Sequence, residues 1–259
     1  MLQFDLVSDL HVDHWNPQYS SPDQIGEKKD FPMIWEPTSD ILVIAGDVSD
    51  NIENSYKYIR KLRRYYKDII FIDGNHEHYP VKPYLLDTTL FPEYNNIHYL
   101  GKRDVVIDKT VFIGVCGWWD WSFSQPDPII SPTLTQKILE RGRIEADTLE
   151  RKIKIWGSNP EVDEIVIVTH TVPRARFARY VDTDHNSRFG KLNSHWLHNY
   201  GMNKITRWVF GHNHKSFNDV EDGILFQSNP RGRPVDFDRE EYSQSPSPPP
   251  PPMDLHQFE

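Results

Sequence analysis

Cysteine is almost absent from this chain of 259 residues, where Cys116 stands alone. A single thiol excludes an intrachain disulfide framework and fits a reducing compartment. Cys116 ends the apolar run Val111–Cys116, so it reads as a buried, inert thiol. No apolar stretch of about 18 residues occurs, and no membrane-spanning helix is expected. The first residues, Gln3-Phe4-Asp5-Leu6-Val7, read as a strand and not as a basic-then-apolar leader. A cytoplasmic protein is the expectation. Positive charge is also scarce: 29 Lys and Arg face 38 Asp and Glu, a net −9. That argues against general nucleic-acid binding, which rests on neutralising phosphates with Lys and Arg. No internal repeat is visible.

What the chain does have is five short polar clusters, each placed just after an apolar run. They are Asp9-Leu10-His11, Gly46-Asp47-Val48-Ser49-Asp50, Gly74-Asn75-His76-Glu77, the lone His170, and Gly211-His212-Asn213-His214. The runs before them are Phe4–Val7, Ile41–Ala45, Ile69–Ile72, Ile165–Thr169 and Ile205–Phe210. Such runs, rich in Val, Ile and Phe, predict strands buried in a sheet. In open α/β sheets ligands sit beyond the carboxyl ends of the strands. The clusters are therefore expected to meet at one edge.

Asp, Asn and His offer oxygen and nitrogen without thiolate, which suits Mn, Fe or Zn better than a cysteine-rich structural zinc. The seven candidates Asp9, His11, Asp47, Asn75, His170, His212 and His214 are too many for one ion. They fit two ions sharing a carboxylate. Such a pair, about 3.5–4 Å apart, clamps a phosphoryl group and holds a hydroxide nucleophile. Any one of these histidines alone would read as a packing residue. Their recurrence at one topological position carries the reading.

The blocks D-x-H, G-D-x-x-D, G-N-H-E, a lone His and G-H-x-H, in this order, resemble the calcineurin-like metallophosphoesterase superfamily. The resemblance spans about Met1 to Pro234. It implies a four-layer α/β/β/α sandwich, two facing mixed sheets flanked by helices. It implies that Asp9, His11, Asp47 and His214 hold one metal, while Asp47 bridges to a second completed by Asn75, His170 and His212. His76 would donate a proton to the leaving oxygen, and Asp50 would orient His76. The implied activity is that of a metal-dependent phosphoesterase. The favoured form is a phosphodiesterase that cleaves a nucleotide or other small phosphodiester through a metal-bridging hydroxide, with Mn the favoured metal. The alternatives are a phosphoprotein phosphatase and a non-catalytic scaffold of the same fold. Phosphoprotein phosphatases carry Arg where this chain has Asn51, which disfavours the first. No ligand-type residue is missing, which disfavours the second.

The chemistry of the residues leads the same way. A phosphoester needs a proton for its leaving oxygen, and His76 stands beside Asn75 without being needed as a ligand. Asp50 has a second reading, as N-cap of the helix expected over Ile52–Lys67. Other helices are expected at Val81–Phe91, Thr133–Trp156 and Phe189–Tyr200. Further strands are expected at Ile97–Leu100, Val105–Ile107, Val111–Val115 and Gly223–Ser228. Trp15–Asp40, with four prolines, reads as an irregular rim of the site.

Residues 1–234 read as the catalytic domain and 235–259 as a proline-rich tail. The tail is either a flexible terminus or a proline-rich ligand for a protein partner. Trp118, Trp119, Trp121 and Phe123 could stack on a base or pack a corner. Arg174, Arg176 and Arg179 could hold a phosphate or form a solvated face. Asn229-Pro230-Arg231-Gly232 resembles a stretch near the end of several small superfamily members, and its chemistry is open.

Overall fold

The computed structural model describes residues 2–15, 35–78, 94–118, 131–177 and 204–237. Their strands form two sheets. The first is parallel throughout, in the order β1 (Asp5–Val7), β2 (Ile41–Ala45), β3 (Asp68–Ile72) and β4 (Ile97–Tyr99). β2 and β3 are apolar almost end to end and buried, the pattern of strands covered on both faces. The second sheet is mixed, in the order β5 (Val105–Ile107), β6 (Thr110–Val115), β7 (Glu164–Thr169), β8 (Ile205–Val209), β10 (Ile224–Ser228) and β9 (Phe217–Glu221).

Successive strand residues point to opposite faces, and here the two faces feed different cores. Phe112, Val166, Val168 and Val209 join the core that includes β1 to β4. Val111, Ile113, Val115, Ile165, Ile167 and Trp208 pack with Ala146, Leu149 and Ile153 of a long helix, α3 (Pro132–Gly157). α2 (Ile52–Leu62) buries Tyr58, Ile59 and Leu62 against the first sheet. The layers therefore run helix, sheet, sheet, helix, as expected. α3 starts where Ser131 Oγ accepts the Leu134 N–H at 3.3 Å, with Pro132 in its first turn.

Two differences from the sequence reading have physical causes. The helix expected over Ile52–Lys67 ends at Leu62. Beyond it Tyr66 turns inward, where its hydroxyl accepts from Trp35 Nε1 at 2.6 Å and donates to Asp5 at 2.8 Å. β9 was not expected, because Phe-Asn-Asp-Val-Glu carries little apolar signal. It is an edge strand, held as a hairpin with β10 by Asp222-Gly223, both with positive φ. Asp-Gly between strands is a recognised turn signal, and it was readable here.

The short helix α1 (Val12–Trp15) follows β1, and α4 (Pro234–Phe237) follows the last strand. The domain boundary read at Pro234 falls inside α4. Val81–Phe91, Phe189–Tyr200, residues 16–34 and Glu240–Gln257 lie outside the described residues, as do Trp119, Trp121, Phe123 and Arg179. No described helix is long and apolar enough to cross a membrane.

Candidate metal centre

All seven candidate ligands lie on the turns that leave β1, β2, β3, β7 and β8 at their carboxyl ends. Parallel pairing of β1 with β2, of β2 with β3 and of β7 with β8 brings these turns to one edge. Donor atoms of Asp9, His11, Asp47 and His214 lie within 4.8 Å of one another, and so do those of Asp47, His170 and His212. Asp47 belongs to both groups. Asn75 Oδ1 lies 3.0 Å from His170 Nε2 and 3.0 Å from His212 Nδ1, which adds it to the second.

The backbone is bent to present these groups. Asp9, His11, Asp47, His212 and His214 all have positive φ. Non-glycine residues avoid that region at a cost of about 1–3 kcal/mol each, and such strain gathers at functional sites. Gly74 fits because it lacks a side chain: a Cβ there would sit 2.1 Å from Asp47 Oδ1.

The ring nitrogens test whether this cluster fits a cation. His170 Nδ1 lies 2.9 Å from the Ala45 carbonyl and donates to it. Its Nε2 then faces Asp47 Oδ2 at 3.2 Å and Asn75 Oδ1, both acceptors. Burial opposes a charge on His170, yet Asp47 and Asp9 outweigh it and push its pKa up to about 10. The site therefore takes a proton where no other cation is present. Asp236 Oδ2 accepts from His214 Nδ1 at 2.5 Å, so His214 Nε2 turns a lone pair toward His11 Nε2, 3.0 Å away. His11 Nδ1 is buried without a hydrogen-bond partner whichever nitrogen carries the hydrogen. If Nδ1 carries it, two lone pairs face each other. Burial, against the pull of Asp47, keeps His11 far below the ordinary imidazole pKa, so it is neutral. A cation between the rings removes the conflict. The nitrogen and oxygen donor set, free of thiolate, fits Mn, Fe or Zn.

His76 is not one of the seven, although its ring lies 4.6 Å from that of His11 and it forms a third donor group with His11, His14 and Asp50. Its Nδ1 lies 2.5 Å from Asp50 Oδ1, and its Nε2 lies 3.9 Å from Asp47 Oδ2. Burial works against its charge, but Asp47 and Asp50 prevail over it and over the repulsion of Arg233. The His76 pKa rises to about 9. Asp50 resists burial through its bonds to His76 and His14 and falls to about 2. The helix-cap reading of Asp50 gives way to Asn51, whose Oδ1 accepts the N–H groups of Glu53 at 2.8 Å and Asn54 at 3.3 Å. Asn51, the residue that replaces Arg, is thus the N-cap of α2.

Four contributions to the site escaped the sequence reading. His14 Nε2 contacts the other oxygen of Asp50 at 2.8 Å. Glu77 is a buried hub. It accepts from the N–H groups of Gly74, Asp47 and Val48 at 2.7, 3.0 and 2.7 Å and from Ser55 Oγ at 2.8 Å. It so fastens the β2 and β3 turns together. Asp236, in the segment read as tail, anchors His214. Arg233 adds the positive charge felt by His76. The G-N-H-E block pointed to Glu77, His14 stood near the first cluster but read as a loop residue, and Arg233 closed a stretch of open chemistry; nothing local marked Asp236.

Of the aromatic and basic candidates, Trp118, Arg174 and Arg176 lie within the described residues. Trp118 is buried, edge-on to His78 with centroids 5.1 Å apart, and packs with Cys116 and Ile138. It is not exposed for stacking. Arg174 meets Glu221 at 2.5 Å and Asp222 at 2.9 Å, and Arg176 meets Asp219 at 2.7 Å. Acids on and after β9 neutralise both.

Comparison with known proteins gives a family and a fold. The sequence profile of the calcineurin-like phosphoesterases matches residues 2–216. The chain is similar to an uncharacterized protein of Acanthamoeba polyphaga mimivirus, 24% identical over 261 residues, 87% of this chain and 89% of that one. Its fold is similar to that of a phosphopantetheinyl hydrolase from Mycobacterium tuberculosis, with TM-score 0.57, 18% identity, and 96% and 98% of the two chains covered. A putative 5'-nucleotidase from Staphylococcus aureus aligns with TM-score 0.45 and 16% identity over 89% of this chain and 48% of that one.

Proposed function

The chain belongs to the calcineurin-like phosphoesterase family, and from that premise we propose that it is a dinuclear phosphodiesterase acting on a nucleotide or similar small ester. Asp9, His11, Asp47 and His214 hold one ion, and Asp47, Asn75, His170 and His212 hold the other. When bound, the ions supply charge neutralisation for the phosphoryl oxygens and an activated water, with Mn the favoured pair.

The observation that carries this reading is the sharing of Asp47 between two donor groups whose ring nitrogens conflict without a cation. The chain's own residues supply the rest. Asp50 fixes one nitrogen of His76 and favours its protonated form. The other nitrogen, on the side of Asp47, donates to the leaving oxygen. Glu77 holds the turns that carry Asp47 and Asn75 at a constant separation. With Trp118 packed inside, the preference for a diester rests on the complete G-N-H-E and G-H-x-H blocks and on Asn51 serving as a helix cap.

The test is hydrolysis of bis(p-nitrophenyl) phosphate against p-nitrophenyl phosphate after metal stripping and Mn re-addition. Higher kcat/KM on the diester is expected. A purely monoesterase profile, or a preference for phosphopeptides, would overturn the substrate class. Loss of all hydrolysis with two ions bound would favour the scaffold.

A further inference from the structure

The Asn229–Arg233 segment, whose chemistry the sequence left open, is laced to the first cluster of the site. Ser8 donates its N–H to Asn229 O at 3.1 Å, Arg231 returns a bond to Ser8 O at 3.0 Å, and Gly232 donates to Asp9 O at 2.9 Å. Asn229 Nδ2 reaches the Leu6 carbonyl at 2.8 Å, and Trp15 Nε1 reaches that of Gly232 at 2.9 Å. Arg233 gives its own N–H to Asp236 Oδ2 at 2.7 Å, the same oxygen that holds His214. The backbone of Arg233 is therefore fixed beside a candidate ligand.

Its guanidinium is treated differently. Nε is buried without a hydrogen-bond partner, and its nearest carboxylate, Asp236, is 3.8 Å away. The side chain is 32% exposed, so it is neither packed inside nor released to solvent. Buried nitrogens of Arg174 and Arg207 also lack hydrogen-bond partners, but each of those residues meets a carboxylate within 3 Å. Arg141 and Arg207 meet Glu145 and Glu164 at 2.8 and 2.9 Å, and Arg231 lies over the Trp15 ring at 4.1 Å. A half-buried guanidinium whose nearest acid is 3.8 Å away is only weakly paired, and that is costly. Beside a cluster that collects cations the cost is greater, because like charges repel. An anion lying between the guanidinium and the cluster removes both penalties.

We propose that Arg233 is the substrate-binding arginine of this site, a guanidinium clamp for a non-bridging oxygen of the phosphoester. The proposal deepens the phosphoesterase reading and rests on it. Arg233 presents donors in a planar fork that suits phosphate oxygens. Its charge is felt at His11 and His76, and its side chain stays 32% exposed. A charge-assisted hydrogen bond stabilises by about 1.5–3 kcal/mol, which corresponds to roughly 10- to 100-fold in affinity.

The test compares wild type, Arg233→Ala and Arg233→Lys, each loaded with Mn and checked for metal content. Binding of inorganic phosphate is measured by calorimetry, and hydrolysis is followed with both nitrophenyl esters. Arg233→Ala should keep its metals, bind phosphate about tenfold or more weakly, and raise KM more than it lowers kcat. Added guanidinium ion should restore part of the loss in this variant and none in wild type. Lys should recover only part, because an ammonium lacks the planar fork. Wild-type phosphate affinity in Arg233→Ala with both metals present would overturn the clamp. So would loss of metal as the only change. A wild type that cleaves neither ester, while phosphate binding still falls in the variant, would sink the enzymatic reading and leave the clamp standing. If the alanine variant fails to fold, Arg233→Gln gives the same readouts.

Discussion

The protein pairs an imidazole with a carboxylate at 2.5 Å in two places, His214 with Asp236 and His76 with Asp50. The two pairs share their chemistry and differ in what the far nitrogen meets. His214 and Asp236 are 8% and 2% exposed, and His214 Nε2 looks at Asp9 at 3.4 Å and at His11. His76 and Asp50 are 17% and 38% exposed, at the open side of the cluster. A carboxylate behind a histidine fixes its tautomer and raises its basicity. Where the far nitrogen points into a buried set of donors, the proposed task is that of a metal ligand. Where the ring is more exposed, beside Asp47, the proposed task is that of a proton donor. Environment, and not residue type, divides the two tasks.

The largest expected effect separates these tasks directly. His76→Ala should keep both metals and lose about 10²–10⁴ in turnover, the usual worth of a general acid. The loss should shrink for esters whose leaving group needs no proton. Metal analysis that finds an ion missing in this variant would erase the distinction between the pairs.

A smaller effect is expected from the carboxylates. Asp236→Asn should weaken metal affinity by about 10- to 100-fold, as removal of a ligand's supporting carboxylate does. Asp50→Asn should leave metal affinity near wild type and lower turnover instead. Metal titration with activity readout on both variants decides the matter, and equal metal loss in the two would break the comparison.

The smallest effect is on stability. In the metal-free protein, burial disfavours the charge on His76, but Asp47 and Asp50 raise its pKa from 6.5 to about 9. Its stabilisation is complete below the unfolded value and is lost as pH rises through about 9. Asp50 is depressed from 3.8 to about 2, so its share is complete above 3.8 and is lost as pH falls through about 2. Metal-free wild type should therefore exceed metal-free His76→Ala most between about pH 4 and 6.5. Solvent screening limits the gain to about 1 kcal/mol, or about 2–4 °C in Tm. A difference that grows toward about pH 10 would contradict the proposed charge state.

Much of the fold was legible because it rests on local pattern. Buried strands announce themselves as short apolar runs, and each polar cluster after such a run proved to lie at the same edge. α3 was readable from its 3.6-residue period in spite of Gly142. The rest depends on contacts between distant parts of the chain. Asp236 bonds His214 across 22 residues, and nothing near it in the sequence differs from an ordinary acidic loop. Glu77 sat inside a recognised block, yet its work is done on the backbones of Asp47 and Val48. Trp118 stands in an aromatic run that suits a stacking loop as well as a core. Only the position of Ile138 and His78 decides that it packs. Asp50 and Asn51 both suit a helix start, and their geometry alone assigns the cap to one and the imidazoles to the other.

The lacing of Asn229–Arg233 onto Ser8 and Asp9 also sets an order of events during synthesis. The first candidate ligand leaves the ribosome at residue 9, but the donors grouped with it are complete only at His214, and the carboxylate bonded to His214 comes at Asp236. β1 and its polar turn must wait through the emergence of both sheets before they can close. A nascent chain or truncated product that stops short of Asp236 lacks the finished first pocket, so metal uptake reports on whether translation has passed that point.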